Sequence, residues 1–189
     1  NVAATASLAA SAHERGAAME GELGLIGGRE DTRLADAVRD RTTPAEARGF
    51  VEATGVDLLA PAIGSLHRMP DDSVQLDLQY LRAVADAAGR PLVLHGGSGV
   101  DRTQLRAAVA AGVGKVNLSS RVGRALAGGI RAIWQETPDE SDLRRYLGAG
   151  RDAVRAMATE YLELTASSGR ARPAAAAAFG WAREDDEPE

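Results

Sequence analysis

Two kinds of apolar pattern alternate along this chain. Residues 1–15 carry apolar side chains at helical spacing and stop at Gly16. Residues 17–23 are short and mostly apolar, end at Gly24, and lead into a polar, glycine-rich loop at 27–31. Thr43-Pro44 ahead of residues 45–54 predicts an N-capped helix with proline in its first turn, closed by Gly55. Residues 56–63 form an apolar strand ending at Gly64, and residues 76–88 a helix stopped by Gly89. The sequence then predicts a strand at 91–94, a helix at 101–111 stopped by Gly112, and a strand at 113–118. A long helix around 120–135 and a final one over 150–166 complete the series.

Strand and helix thus alternate about four times, and the strands are continuously apolar rather than alternating. That pattern predicts parallel strands buried on both faces, in βα units. Helix-to-strand connections are short and glycine-punctuated, while strand-to-helix connections hold the polar chemistry, as at the C-terminal face of a (β/α) barrel. A doubly wound open sheet is the structural alternative, but no Gly-x-Gly-x-x-Gly follows the first strand. Residues 1–170 read as one barrel-type unit. Residues 171–189, a run of alanines with an acidic end, read as a disordered tail.

Composition narrows the chemistry. A net charge of −5 and a pI near 5.3 give no basic surface for nucleic acid. No apolar run reaches membrane-spanning length and no signal peptide is visible, so the expected location is cytoplasmic. There are no cysteines, so a transition metal must be held by His, Asp or Glu, and the chain has 3 histidines.

Four strand ends stand out. His67 and His95 each follow an apolar strand, and neighbouring parallel strands lie about 5 Å apart, within reach of one ion. The alternative is two unrelated loop residues. His13 lies on a helix and is expected to be a solvated surface residue. His95-Gly96-Gly97-Ser98-Gly99 leaves backbone N–H groups uncovered and adds a hydroxyl, as an oxyanion or phosphate requires. Asn117-Leu118-Ser119-Ser120 ends the last strand and opens a helix, where a positive dipole end adds to side-chain donors. Turn glycines and an N-cap serine are the plainer account of both. Glu20 and Glu22, two apart, face one side of a strand, and a carboxylate pointing into a barrel needs a partner or a metal. Glu30 lies in the 27–31 loop, from which a proton-transfer group swings over the site. Solvated surface charge is the plainer account of these acids.

These segments, in this order, resemble the class II ketose-1-phosphate and fructose-bisphosphate aldolases, especially the compact type that includes tagatose-bisphosphate aldolase. Leu94–Val100 (LHGGSGV) followed by Gly112–Ser120 (GVGKVNLSS) carries most of the resemblance. Glu20–Asp31 (EGELGLIGGRED), Ala62–His67 (AIGSLH) and Arg144–Val154 (RRYLGAGRDAV) support it. The resemblance implies a TIM barrel, of which this chain covers about the last four βα units. It implies a zinc held by three histidines and reversible cleavage of a ketose phosphate to dihydroxyacetone phosphate and an aldehyde, with zinc as Lewis acid.

Matched residue by residue, His67 and His95 take two zinc positions. Glu22 matches a carboxylate for a second or displaced metal ion, and Glu30 the loop glutamate that moves the proton. Gly96, Gly97 and Ser98, with Asn117, Leu118, Ser119 and Ser120, match the cradle for the dihydroxyacetone phosphate end. Arg144 matches the arginine at the far phosphate. A monovalent cation beside the phosphate and a homodimer or tetramer are further implications.

Two departures matter. The family's Asp-His pair, source of the catalytic aspartate and the third zinc histidine, is absent from the chain. The chain is therefore expected to be inactive as a fragment alone or to pair with another chain. After His67 the run is Arg68-Met69-Pro70-Asp71, where the family has glycine and then lysine; Arg68 is a candidate replacement anion ligand. Arg121 stands at a commonly acidic position. The alternatives to an aldolase are a non-catalytic sugar-phosphate-binding relative and an inert barrel fragment.

Overall fold

The structure is a computed structural model that describes residues 1–26, 41–65, 70 and 72–170. Its elements in chain order are α1 (Val2–His13), β1 (Glu20–Leu23), α2 (Pro44–Thr54), β2 (Leu58–Pro61), α3 (Leu78–Ala88), β3 (Leu92–Leu94), α4 (Arg102–Ala110), β4 (Val113–Val116), α5 (Ser120–Glu136) and α6 (Leu143–Leu164).

Local signals set most boundaries. Thr43 caps α2 reciprocally with Glu46, and Gly55 ends it in the left-handed conformation at φ 70°. Asp77 caps α3 and Gly89 closes it at φ 59°. Asp101 caps α4 through Thr103 N–H, and Asp142 caps α6 through Arg144 N–H. The last helix starts at Leu143, ahead of the Gly150 start that the sequence suggested. Gly148 and Gly150 do not interrupt it, and a Cβ on Gly150 would lie 2.7 Å from Leu126 Cδ1 of α5. On Gly129 of α5 a Cβ would lie 2.5 Å from the Ala149 carbonyl oxygen. These glycines permit close helix packing rather than breaking a helix.

The four strands form one parallel sheet in the order β1-β2-β3-β4. The order never reverses, so no switch point of a doubly wound sheet occurs among the described strands, and the sequential winding is that of a barrel. One face is covered by the helices: Phe50 and Val51 of α2, Leu81 and Val84 of α3, and Leu105 and Ala108 of α4 pack with Leu59, Leu92, Leu94 and Val113. The other face bears Glu20 and Glu22, with Ala60 in register beside Glu22 and Lys115 in register beside Val93. Ala60 and Val93 are fully buried there.

Beside β4, an edge strand among the described residues, runs an apolar groove of about 540 Å³, lined by Val113, Val116, Leu118, Val154, Met157 and Leu162 among others. Among the described residues no helix is long and apolar enough to cross a membrane. The predicted tail at 171–189 lies outside the described residues.

Candidate active site

The site gathers at the C-terminal ends of the strands. His95 directly follows β3, whose three residues are fully buried, so its ring is fixed by a rigid support. Its Nε2 lies 3.4 Å from Glu20 Oε1 and 3.8 Å from Glu22 Oε2, both on β1. The expected same-side placement of the two carboxylates is what brings both to the histidine. Glu20 is also held by Lys115 Nζ at 2.7 Å, from the opposite edge strand. Glu22 is half exposed. Sequence reasoning gave Lys115 no role; its signal was one long cation in an otherwise apolar and glycine-containing strand.

This donor set suits zinc in kind, imidazole nitrogen and carboxylate oxygen, but does not complete it in number. Among the described residues no group of three or more metal-ligating side chains is arranged to hold an ion. His67, the second predicted zinc ligand, and Arg68 and Glu30 lie outside the described residues.

The glycine loop after β3 is tightly built. Gly96 adopts φ 65° and its carbonyl accepts the Gly99 N–H at 2.9 Å. A Cβ on Gly97 would stand 2.6 Å from Val116 Cγ1 and 3.1 Å from the Asn117 carbonyl oxygen. Only glycine lets this loop lie against the end of β4. The loop is pinned behind by Val74 N–H donating to Gly99 O and Asp101 N–H donating to Val74 O, both at 2.9 Å.

Beside it, Asn117 N–H donates to Leu94 O at 2.9 Å, bringing residues 117–120 level with the loop. Ser119 is the N-cap residue of α5, yet its side chain makes no capping bond, which corrects the N-cap serine account. The cap comes from another strand end: Arg121 N–H donates to Ser98 Oγ at 3.2 Å. Ser98 is buried. The Arg121 guanidinium donates to Ser98 O at 3.0 Å and to Asp72 Oδ1 at 3.2 Å, and sits 5.5 Å from the Tyr161 ring centroid. Asp72 also accepts from Arg102, whose pKa is raised first by Asp72 and then by Glu160. Gly96, Gly97, Ser98, Asn117, Leu118, Ser119 and Ser120 therefore lie together.

Arg144 is not brought to this cluster by its described contacts. It sits in the first turn of α6, 90% exposed, and its guanidinium is clasped by its own helix cap, Asp142, at 3.0 and 2.8 Å. His13, expected to be merely solvated, ends α1 with its Nε2 2.8 Å from Asp57 Oδ2. Asp57 is 44 positions away, so no local pattern pointed to the pair.

The chain resembles known proteins over most of its length. The class II fructose-bisphosphate aldolase family model matches residues 1–170. The fructose-bisphosphate aldolase of Geobacillus stearothermophilus is 35% identical over 171 residues, 90% of this chain and 59% of that protein. That of Staphylococcus epidermidis is 35% identical over 172 residues, 91% of this chain and 60% of its own. Among solved structures, the YdjI aldolase of Escherichia coli K12 superposes with a TM-score of 0.72 at 31% identity, covering 91% of this chain and 58% of that one. The chain thus spans about three-fifths of the length of the curated relatives it matches. Its four-stranded parallel sheet corresponds to part of their TIM-type barrel, and the chain belongs to the class II fructose-bisphosphate aldolase family.

Proposed function

We propose that this chain supplies the zinc-binding and phosphate-binding part of an aldolase that reversibly cleaves a ketose phosphate to dihydroxyacetone phosphate and an aldehyde. The observation that carries this reading is the convergence of His95 and Glu22 with the Ser98 loop and the start of α5 at one end of one sheet. Zinc, when bound, supplies a Lewis acid that polarises the ketone and takes up charge left on the donor half after carbon–carbon cleavage.

The chain's own residues do the rest of its share. His67 and His95 would hold the metal, and Glu22 would serve a second or displaced ion. Gly96, Gly97 and Ser98 present backbone and hydroxyl donors to the phosphate, and residues 117–120 bring the positive end of α5. Arg68 adds a cation beside His67, and Glu30 moves the proton at the donor carbon. Arg144 takes the far phosphate only by leaving Asp142.

Among the described residues the sheet ends at β1 and β4, and the β4 edge is flanked by an apolar groove. Further strands of the barrel must close these edges and bring the missing aspartate and histidine before cleavage begins. The test is cleavage of fructose 1,6-bisphosphate, followed as triose phosphate release. It is run with this chain alone and with the chain co-expressed with the front part of the Geobacillus enzyme. The expected result is chelator-sensitive turnover only in the second case, lost with His95→Ala. Turnover that survives His95→Ala in the co-expressed pair would remove the reading.

A further inference from the structure

Arg121 has no part in the reading above, yet it grips the proposed phosphate loop at two points. Its backbone N–H donates to Ser98 Oγ and its guanidinium to Ser98 O. A hydroxyl has one proton and two acceptor lone pairs. Once Oγ accepts from the Arg121 amide, its own O–H remains to donate. The clasp also fixes the Ser98 carbonyl, and with it the peptide plane that orients the loop. Asp72 holds the guanidinium from a third segment, and the aromatic ring of Tyr161 lies 5.5 Å from it. The Arg121 side chain is 11% exposed, so it acts within the structure rather than on solvent.

We infer that Arg121 is a positioning residue: it aims the Ser98 hydroxyl, as a donor, at the anion that the loop holds. This rests on the phosphate reading of the loop. It also gives the arginine at this commonly acidic position a purpose, because an acidic side chain there would repel Asp72 and could not donate to Ser98 O.

The test is a double-mutant cycle on the full chain. Inorganic phosphate binding is read by titration calorimetry, and the melting temperature is recorded for each variant. Arg121→Ala keeps the backbone N–H that Ser98 Oγ accepts and removes the guanidinium that holds the Ser98 carbonyl; in the parent it is expected to weaken phosphate about tenfold, the size of one charge-assisted hydrogen bond. In a Ser98→Ala background the same change is expected to shift affinity by less than about twofold, because the group it aims is gone. Arg121→Gln, closer in shape, gives the same pattern if the alanine variant folds poorly. An equal loss in both backgrounds means that Arg121 serves only general packing, and overturns the inference while leaving the phosphate reading intact. A Ser98→Ala variant that binds phosphate like the parent, or a parent that binds none, overturns the phosphate reading and the inference with it.

Discussion

Glu20 and Lys115 stand on opposite edge strands of the sheet, and their side chains meet at 2.7 Å. The pair passes over the inner face of β2 and β3, where Ala60 and Val93 are fully buried. The cost of turning a carboxylate toward a barrel interior is thus met by a lysine. Glu20 also lies 3.4 Å from His95, so Lys115 places positive charge near the proposed metal position. Lys115→Met is expected to tighten zinc binding by roughly fivefold, the effect of one partly screened charge removed. Competition with a chromophoric chelator reads this directly, and an unchanged or weaker affinity contradicts it.

Gly97 separates a packing demand from a chemical one. Gly97→Ala places a methyl group 2.6 Å from Val116 Cγ1 and 3.1 Å from a backbone oxygen that cannot move cheaply. The expected cost is about 1–3 kcal/mol of stability, measured by denaturant unfolding, as for other overpacked positions. A variant as stable as the parent would show that the loop does not lie against β4.

Acid is expected to destabilise the fold by protonating carboxyls that accept hydrogen bonds in the folded state. The carboxyl of Asp57 is held below its usual range by the Met19 N–H and then by His13. That of Asp101 is lowered by the Thr103 hydroxyl and then by Gln75, and that of Glu46 by the Thr43 N–H. A carboxyl depressed in the folded state contributes stability above its unfolded pKa of about 4, and that stability is lost as pH falls through the folded value. Melting temperature is therefore expected to be flat near neutrality and to fall below about pH 4, with Asp57→Asn flattening part of the fall. A melting temperature rising toward acid contradicts this sign.

The β4 edge gives a prediction about assembly. A parallel strand and its helix laid along Val113, Val116, Leu118 and Met157 would bury the groove and supply ladder partners. Co-expression with the front part of a relative's barrel is expected to raise the melting temperature by several degrees, about what 1–2 kcal/mol gives in a domain of this size. No shift, with no co-purification, would mean that this edge does not accept the missing strands.

Much of this was legible in the sequence for definite reasons. Strands β2 and β3 are buried on both faces, so they appear as unbroken apolar runs followed by glycines. Thr43 marks a helix start through capping chemistry. The cradle residues Gly96 to Ser98 and Asn117 to Ser120 were found together because both follow such strands. What stayed hidden depends on distance along the chain. Lys115 meets Glu20 across 95 positions, and Arg121 meets Asp72 across 49 and Ser98 across 23. No periodicity encodes such partners. Gly150 misled about the start of α6 because a glycine chosen for helix contact reads the same as one that ends a helix. His67, Arg68 and Glu30 lie outside the described residues and rest on the sequence alone.

The central claim is that this chain holds the zinc half of an aldolase site. The most direct measurement is zinc stoichiometry and affinity of the chain, compared with His67→Ala, His95→Ala and Glu22→Gln. The account predicts about one zinc per chain, with affinity falling at least tenfold in each histidine variant and less in Glu22→Gln, as for a site with two imidazole ligands. Zinc binding indifferent to both histidines, or no binding at all, would contradict it.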